Sequence, residues 1–445
     1  MGTAFAILPL TGKGADLVMN PACAAEAGLS SRERAVIGFG CLSRPVRIVL
    51  DEELPENRML LSSKTMKELH LPQYPEYELK ADRGSILIGP CIGLLMSRSD
   101  KSLTSKRLEK LTVYAREYAS LHGAVVVFAL DKVDTAERLV HGYCYDPSSR
   151  RFEKGTFPYP SAIYRTVGLS RKWRNHFLSA LGDRIFNGHY FNKWDLYRWL
   201  SKDPSVAPHL PETMRYASAG ATLDAAQHLG KVFIKPVSGL GGRQIARLSW
   251  QGDAFMLEYR EDCGNRLLTF ESRADAADAL QRRFSVGKFL IQQGVELLDY
   301  QGGIFDFRCI MQKDQTGRWV CKSIIGRRGR KGSIVSNITS GGHAFSIEDL
   351  TPAAAALDLP VQIEALALKV CEALDSCGIH CGILGVDIGA DTQGRLWLFE
   401  ANNRDPDPSI ALDIHEVKVY YALKTGPLFY AKALAGFREE PKKEE

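Results

Sequence analysis

Hydrophobic and polar positions change period several times along the chain, and each change marks a new kind of element. VRIVL (46–50) and MLLSS (59–63) are aliphatic and β-branched runs between Gly and Pro breaks. They predict short strands and a small β-rich domain over residues 1–82. ILIGPCIGLLM (86–96) is a continuous apolar run that predicts a buried strand. A segment of helical period from Thr104 to Leu121 and a second apolar run, GAVVVFAL (123–130), follow it. Buried strand, helix and buried strand predict a parallel sheet covered by helices, an α/β domain over 83–185. Past Phe152, FPYPSAIYR and RKWRNHF interleave aromatic and basic residues and read as a connection or a cleft lining.

From Phe186 the texture changes again. NKWDLYRWLSK predicts an amphipathic helix with Trp194, Leu196, Trp199 and Leu200 inward, ended by the Pro-rich SVAPHLPET. VFIKPVSGLGGRQIARL (232–248) reads as strand, glycine loop, strand. FLIQQGVELL (289–298), IFDFRCIMQ (304–312) and WVCKSIIG (319–326) read as further strands. A helix over 361–377 stops at Gly378, a left-handed cap, and ILGVDIGADTQGRLWLFEANN (383–403) reads as a hairpin. These elements divide the remainder into units at 186–288 and 289–437. The mixed-charge tail 438–445 has no apolar face and is expected to fray. No internal repeat is present.

Composition adds limits. A length of 445 residues predicts about three domains, each large enough to bury a core. With 45% hydrophobic and 24% charged residues the chain has a globular rather than a disordered composition. A net charge of +5 is too small, unless clustered, to argue for nucleic acid. No run approaches the roughly 18 apolar residues that span a bilayer, and the N-terminus lacks a basic leader, so a cytoplasmic protein without membrane partners is expected. The scattered cysteines predict reduced thiols. Cys371, Cys377, His380 and Cys381 are close in sequence but lack a zinc-knuckle spacing; the first two are expected on the apolar face of a helix.

Three segments carry candidate chemistry. In IKPVSGLGGRQI, Ser238, Gly239, Gly241 and Gly242 follow a strand ending at Lys235, leaving backbone N–H groups unobstructed by Cβ atoms and able to close on phosphate oxygens. No G-K-S/T follows and the next segment alternates as a strand, so this is neither a Walker A loop nor a dinucleotide fingerprint. In the hairpin, a loop of Asp391 to Gly394 pairs Ala390 with Arg395 and sets Asp387 opposite Leu398. Asp387, Glu400 and Asn402 then share one face. Two carboxylates and an amide oxygen form a hard site of the type Mg²⁺ uses when phosphates and water complete its shell. Third, Asp306 and Arg308 lie two apart on one strand face, and the cation-dense GRRGRKG (326–332) follows. That run reads as a solvated loop or as phosphate binding inside a cleft, and no RNA-binding pattern accompanies it. NITSGG (337–342) then adds Asn337 beside another glycine turn.

Lys193 in NKW, Lys235 before SGLGG, FLIQQGV, the D-x-R of 306–308 and the triplet Asp387, Glu400, Asn402 occur in the order used by ATP-grasp proteins. More narrowly, IGPCIGLL, FPYPSAIYR, IFN…KW, LPET, IKPVSGLGGRQI, FDFRCIMQ, GSIVSNITSGG and FEANNRDPDPS resemble the YheC/YheD-type endospore coat-associated ATP-grasp family across residues 30 to 430. The resemblance implies an ATP-grasp fold, two α+β lobes gripping ATP, behind a pre-ATP-grasp α/β domain and the small β-rich domain. It implies that Lys193 and Lys235 serve the phosphates and the adenine side, and that residues 238–242 form the lid. Gln292, Gln293, Gly294 and Val295 would read the adenine edge, with Glu296 at the ribose. Arg308 and either Arg327 or Arg328 would balance charge on the γ-phosphoryl group and a substrate carboxylate. Asp387, Glu400 and Asn402 would hold one or two Mg²⁺, with Mn²⁺ as an alternative.

The expected function is an ATP- and Mg²⁺-dependent carboxylate–amine ligase acting through an acylphosphate on small-molecule or peptide substrates. The alternatives are an ATP-grasp phosphotransferase and a non-catalytic ATP-binding spore-coat protein. By resemblance, spore association is a further expectation.

Overall fold

The computed structural model describes every residue except 1–3, 12–13, 31, 83, 189, 240–243, 262–263, 301, 330–341, 350–357, 404–405 and 439–445. The N-terminal alternation yields β1 (Ala6–Leu10), β2 (Leu17–Met19), β3 (Arg34–Phe39), β4 (Leu42–Leu50), β5 (Arg58–Ser62), β6 (Glu78–Asp82) and β7 (Ser85–Gly89). They form one sheet, ordered β1-β5-β2-β4-β3-β7-β6. The apolar run 86–96, expected as one strand, is two. Pro90 has no N–H to continue a ladder, so β7 ends at Gly89 and β8 (Cys91–Ser97) begins the next sheet.

That second sheet adds β9 (Ala124–Asp134), β10 (Leu139–Asp146), β11 (Arg151–Pro158), β12 (Ala162–Arg165) and β13 (Ile185–Phe186), ordered β11-β10-β9-β8-β12-β13. β8 runs parallel to both β9 and β12, the arrangement expected from buried strands around a helical segment, but β9, β10 and β11 pair antiparallel, so the sheet is mixed rather than parallel. The helix expected from 104 to 121 is broken. Ser105–Leu111 and Tyr118–Leu121 are α-helical, with a 3₁₀ turn at Thr112–Ala115 between them. Thr112 and Val113 are β-branched, and the Thr112 hydroxyl donates back to the Glu109 carbonyl at 2.7 Å, a local bond that competes with the helix. RKWRNHF is a helix, Arg171–Leu181, capped by Ser170.

β14 (Thr213–Arg215), β15 (Lys231–Pro236), β16 (Ala246–Gln251), β17 (Ala254–Glu261), β18 (Gly264–Phe270) and β19 (Phe289–Gln293) form a third, antiparallel sheet ordered β14-β19-β15-β16-β17-β18. Its core joins Leu223 and Ala226 of helix Ala219–Leu229 and Leu280 of helix Arg273–Arg283 to Val232, Ile234 and Leu257. The fourth sheet contains β20 (Asp299–Tyr300), β21 (Gly303–Lys313), β22 (Trp319–Arg328), β23 (His343–Ser346), β24 (Ile383–Ala390) and β25 (Leu396–Asn402), ordered β23-β22-β21-β24-β25 with β20 on β21. Helix Leu359–Ser376 buries Ile363, Leu366 and Val370 against Phe307, Cys309 and Val386. Cys371 lies in that core, but Cys377 is exposed because the helix has already ended beside Gly378, which sits at φ 73.

Two features tie the fourth sheet to the second. Helix Val417–Leu434 packs on both. Asn187, buried just after β13, donates to the carbonyls of Ile383 and Asn403, each at 2.8 Å, and accepts from the Gly382 and Ile383 amides. Among the described residues no helix is long and apolar enough to cross a membrane.

Candidate functional site

Lys193 is held at the first turn of helix Lys193–Leu200. The Asn192 side chain accepts from the Trp194 and Asp195 amides at 2.9 Å, and Asp195 closes the capping box. Leu196 and Leu200 anchor the helix in the core, with Trp199 packed beside them, while Trp194 stacks on Tyr197 instead. The fixed helix start directs the Lys193 ammonium to Glu400 at 2.9 Å and to the Gly239 carbonyl at 3.2 Å. Lys193 thus touches both the glycine loop and the hairpin.

Lys235 lies near the end of β15, opposite Leu290 of β19. Its ammonium donates to the Gln292 side-chain oxygen at 2.6 Å and lies 5.6 Å from the Phe399 ring centroid. Burial pushes this lysine down to about 8. Glu400 opposes that shift, while the like charge of Lys193 adds to it. A slot lined by Leu196, Leu210, Leu290, Leu398 and Phe399 opens beside Lys235 and Gln292. In the hinge segment, the Gln293 and Gly294 amides are already bound to the Glu212 and Lys231 carbonyls, each at 2.8 Å. Glu296 is largely exposed and ion-paired with Lys231.

On β21, Phe305, Phe307 and Cys309 enter the core, so Asp306 and Arg308 take the opposite, cleft-facing side. Arg308 lies opposite Asp387 of β24, and Asp387 lies opposite Glu400 of β25. The expected pairing of Asp387 with Leu398 is incorrect. Ala390 pairs with Leu396, and a bulge at Phe399 brings Glu400 across from Asp387. Arg308 grips both Asp387 oxygens with Nε and Nη2, the latter at 2.9 Å. Arg327 grips both Asp306 oxygens at 2.7 Å and reaches Asp387 at 3.1 Å. A Cβ at Gly385 would lie 3.2 Å from Arg308 Cδ, so the glycine gives that side chain room along the sheet.

Burial works against the Asp387 charge, but Arg308 and Arg327 outweigh it and hold the carboxyl below its ordinary range. Burial likewise opposes the Arg327 charge, and Asp306 and Asp387 raise that guanidinium above its ordinary value. Arg328, next along β22, pairs with Phe305 and His343 and faces away from this cluster. The structure thus brings together Lys193, Lys235, Gln292, Arg308, Arg327, Asp387 and Glu400. A cavity of about 300 Å³ adjoins them, lined by Tyr190, Lys193, Ser238, Gly239, Glu400, Asn402 and Asn403 among others. Gly241, Gly242 and Asn337 lie outside the described residues.

The donor chemistry fits a hard divalent cation. Glu400 and Asn402 line the cavity and offer oxygen, although both Asp387 oxygens are committed to guanidinium groups. Among the described residues no group of three His, Cys, Asp or Glu stands ready to hold a metal, so oxygens from phosphate and water would have to complete the shell. Sequence reasoning missed Arg165, Tyr190 and Asn187 as individual residues. The motifs FPYPSAIYR and IFN contain Arg165 and Asn187, but nothing local marks an arginine or an asparagine as buried.

The YheC/D like ATP-grasp family matches residues 182–434. Endospore coat-associated protein YheD of Bacillus subtilis is 28% identical over 366 residues, covering 78% of this chain and 80% of its own. Endospore coat-associated protein YheC of the same organism is 22% identical over 223 residues, 49% of this chain and 61% of its own. A solved RimK domain ATP-grasp protein from Sphaerobacter thermophilus aligns with 79% of this chain and 100% of its own at 15% identity, with a TM-score of 0.40.

Proposed function

Since this chain belongs to the YheC/D like ATP-grasp family and has the ATP-grasp fold, we propose that it is an ATP- and Mg²⁺-dependent ligase joining a carboxylate to an amine through an acylphosphate. One observation carries the reading. Lys193, Lys235, Arg308 and Arg327 converge with Asp306, Asp387 and Glu400 on a cleft bordered by Ser238 and Gly239. A cleft so arranged suits a polyphosphate accompanied by a cation.

In this reading, residues 186–288 supply the lid and Lys235, and 289–437 supply the arginines and the metal ligands. The slot beside Lys235 and Gln292, about 20 Å³ in this structure, widens to take the adenine, whose edge is read at Gln292 to Val295, with Glu296 at the ribose. Lys193, Lys235 and the loop 238–242 hold the phosphates, and Asn337 belongs to the same nucleotide-binding group. Arg308 and Arg327, whose Nε–Nη2 edges are held by Asp387 and Asp306, would offset charge on the γ-phosphoryl group and the attacking carboxylate. Glu400 and Asn402, with Asp387 once it exchanges a guanidinium contact, would hold Mg²⁺, which neutralises phosphate charge during transfer.

The carboxylate oxygen attacks the γ-phosphorus as the bond to ADP breaks. The amine then adds to the acyl carbon, phosphate leaves with its electron pair, and the amine proton passes to solvent. No protein nucleophile is required. The relatives' names place them with the endospore coat, and we extend that association to this chain; absence of the protein from purified coat fractions would remove it. The central test is ADP release across amino acids, peptides and acidic metabolites with mass spectrometry of the products. An amide-linked product together with ADP and phosphate supports ligation. A stable phosphate ester identifies phosphotransfer, and nucleotide binding without ADP release identifies a non-catalytic binder.

A further inference from the structure

Arg308 and Arg327 each hold a carboxylate through the same guanidinium edge, Nε with Nη2. Arg165 has no carboxylate on that edge among the described residues, and its guanidinium lies against the Tyr190 ring. Its side chain is 1% exposed, its Nη1 donates to the Val167 carbonyl, and Nε and Nη2 have no hydrogen-bond partner among the described residues. A buried cation without a counter-ion is unfavourable. Burial accordingly pushes the Arg165 guanidinium below its ordinary value, with Tyr190 acting against the shift.

The position of this arginine is as informative as its missing partner. Arg165 ends β12, which runs parallel to β8 with Arg165 opposite Leu95. The chain leaves β8 for β9 on one side, whereas β12 lies on the other. The carboxyl ends of β8 and β12, which are paired neighbours, therefore mark the point of strand-order reversal, outside which open sheets accept ligands. Arg98 follows the end of β8 and donates to the Gly168 carbonyl at 3.1 Å. A Cβ on Gly168 would come within 2.8 Å of the Tyr190 ring and 3.1 Å of Arg98, so the glycine lets all three approach. Tyr190 is the link to the cleft: its ring centroid lies 4.3 Å from the Arg165 guanidinium carbon, and it also lines the cavity that holds Lys193, Glu400 and Asn402.

We propose that Arg165, with Arg98 at its rim, is the anchoring site for a substrate carboxylate that is bound but not activated, so that the ligase acts on an amino acid or a peptide with a free carboxylate remote from the reacting group. The assignment rests on the ligase reading of the cleft. The bare Nε–Nη2 edge matches two oxygens of one carboxylate, as the same edges of Arg308 and Arg327 do within the protein. Inorganic phosphate presents similar oxygens, and the experiment separates the two.

Two measurements on the full chain, on Arg165→Met and on Arg165→Lys test this. The first is independent of turnover: thermal melting in sodium acetate, sodium phosphate or sodium chloride at constant ionic strength. Acetate is expected to raise the melting temperature of the wild type and not of Arg165→Met, which should melt no lower than wild type in chloride because it lacks the unpaired charge. A variant that melts well below wild type in chloride, or acetate stabilisation equal in both proteins, overturns the site. Arg165-dependent stabilisation by phosphate and not by acetate overturns the carboxylate assignment. The second is ADP release with amino acids and dipeptides against their C-terminal amides. The acid form should show a KM lower by about tenfold or more, a preference lost in Arg165→Met and partly restored in Arg165→Lys, while the KM for ATP stays constant. Equal KM values for acid and amide in wild type overturn the proposal and leave ligation standing. ADP release with none of these probes counts against the ligase reading, and the melting series still decides the role of Arg165.

Discussion

Lys235 offers a direct test of where the phosphates bind, because its ammonium is compromised before any nucleotide arrives. It hydrogen-bonds to the neutral Gln292 oxygen, while the nearby Glu400 oxygen is engaged by Lys193. With burial pushing it down to about 8, roughly three quarters of the population is neutral at pH 8.5 and roughly a tenth at pH 7. Polyphosphate beside the amine would restore its proton. Binding of a non-hydrolysable ATP analogue should therefore take up roughly 0.7 proton at pH 8.5 and roughly 0.1 at pH 7. Affinity should fall roughly tenfold, about 1.4 kcal/mol, between pH 7 and pH 9. Calorimetry in buffers of different ionisation enthalpy measures the uptake, and Lys235→Met should abolish it. The same depression affects stability with a defined sign: the unfolded chain binds the extra proton between pH 8 and pH 10.5, so this residue's penalty is complete below pH 8 and is relieved as pH rises. The difference in stability between wild type and Lys235→Met should change across that window by up to about 3 kcal/mol, less where water reaches the ammonium. Proton uptake near zero at pH 8.5, or equal in both proteins, would refute the placement of phosphate at Lys235.

Three further outcomes follow from the cleft. Glu400→Gln and Asp387→Asn should both abolish Mg²⁺-dependent ADP release but differ in urea unfolding: about 1 kcal/mol or less for the partly exposed Glu400, and about 3 kcal/mol for the buried Asp387, whose loss of charge leaves Arg308 without its carboxylate and Arg327 with Asp306 alone. Arg327→Ala should lower kcat/KM at least about tenfold and cost about 3 to 5 kcal/mol of stability, because it leaves Asp306 and Asp387 without a shared partner, while Arg328→Ala should leave turnover near wild type; similar losses in both would contradict the geometry. Asn187→Ala removes hydrogen bonds between the second and fourth sheets and should cost about 2 to 4 kcal/mol in thermal unfolding, against little change for an exposed control such as Gln393→Ala.

What the sequence revealed and what it hid have physical reasons. Period-two alternation is a local signal, so IFDFRCIM was enough to place Asp306 and Arg308 on the face opposite Phe305 and Phe307. The choice between Arg327 and Arg328 needed the ladder: adjacent residues point opposite ways, and only the pairing of Asp306 with Arg327 shows which one enters the cleft. The division of 86–96 was hidden because both halves are equally apolar, and only the change of sheet at Pro90 separates them. Arg165 was hidden for a related reason. A charged residue at the end of AIYR looks like a strand terminus meeting water, whereas the close approach of Tyr190 buries it.

The hairpin shows how a correct face can follow from an incorrect register. Taking Asp391 to Gly394 as the loop makes it one residue too short, since Ala390 pairs with Leu396 rather than Arg395. Had the ladder continued regularly from there, Asp387 would face Phe399. Glu400 would then turn toward the apolar core that contains Ile363 and Val386, at the desolvation cost of a buried carboxylate. The bulge at Phe399 adds one more residue, so the two single-residue shifts sum to two and the side-chain parity returns. Glu400 therefore faces the cleft, opposite Asp387 and within 2.9 Å of Lys193, and the Phe399 ring lies near the Lys235 ammonium. The longer turn and the bulge work only as a pair, because either one alone would send the carboxylate to the wrong side of the sheet. Apolar alternation reports parity but not register, so the set of cleft-facing residues was legible while the contacts among them were not.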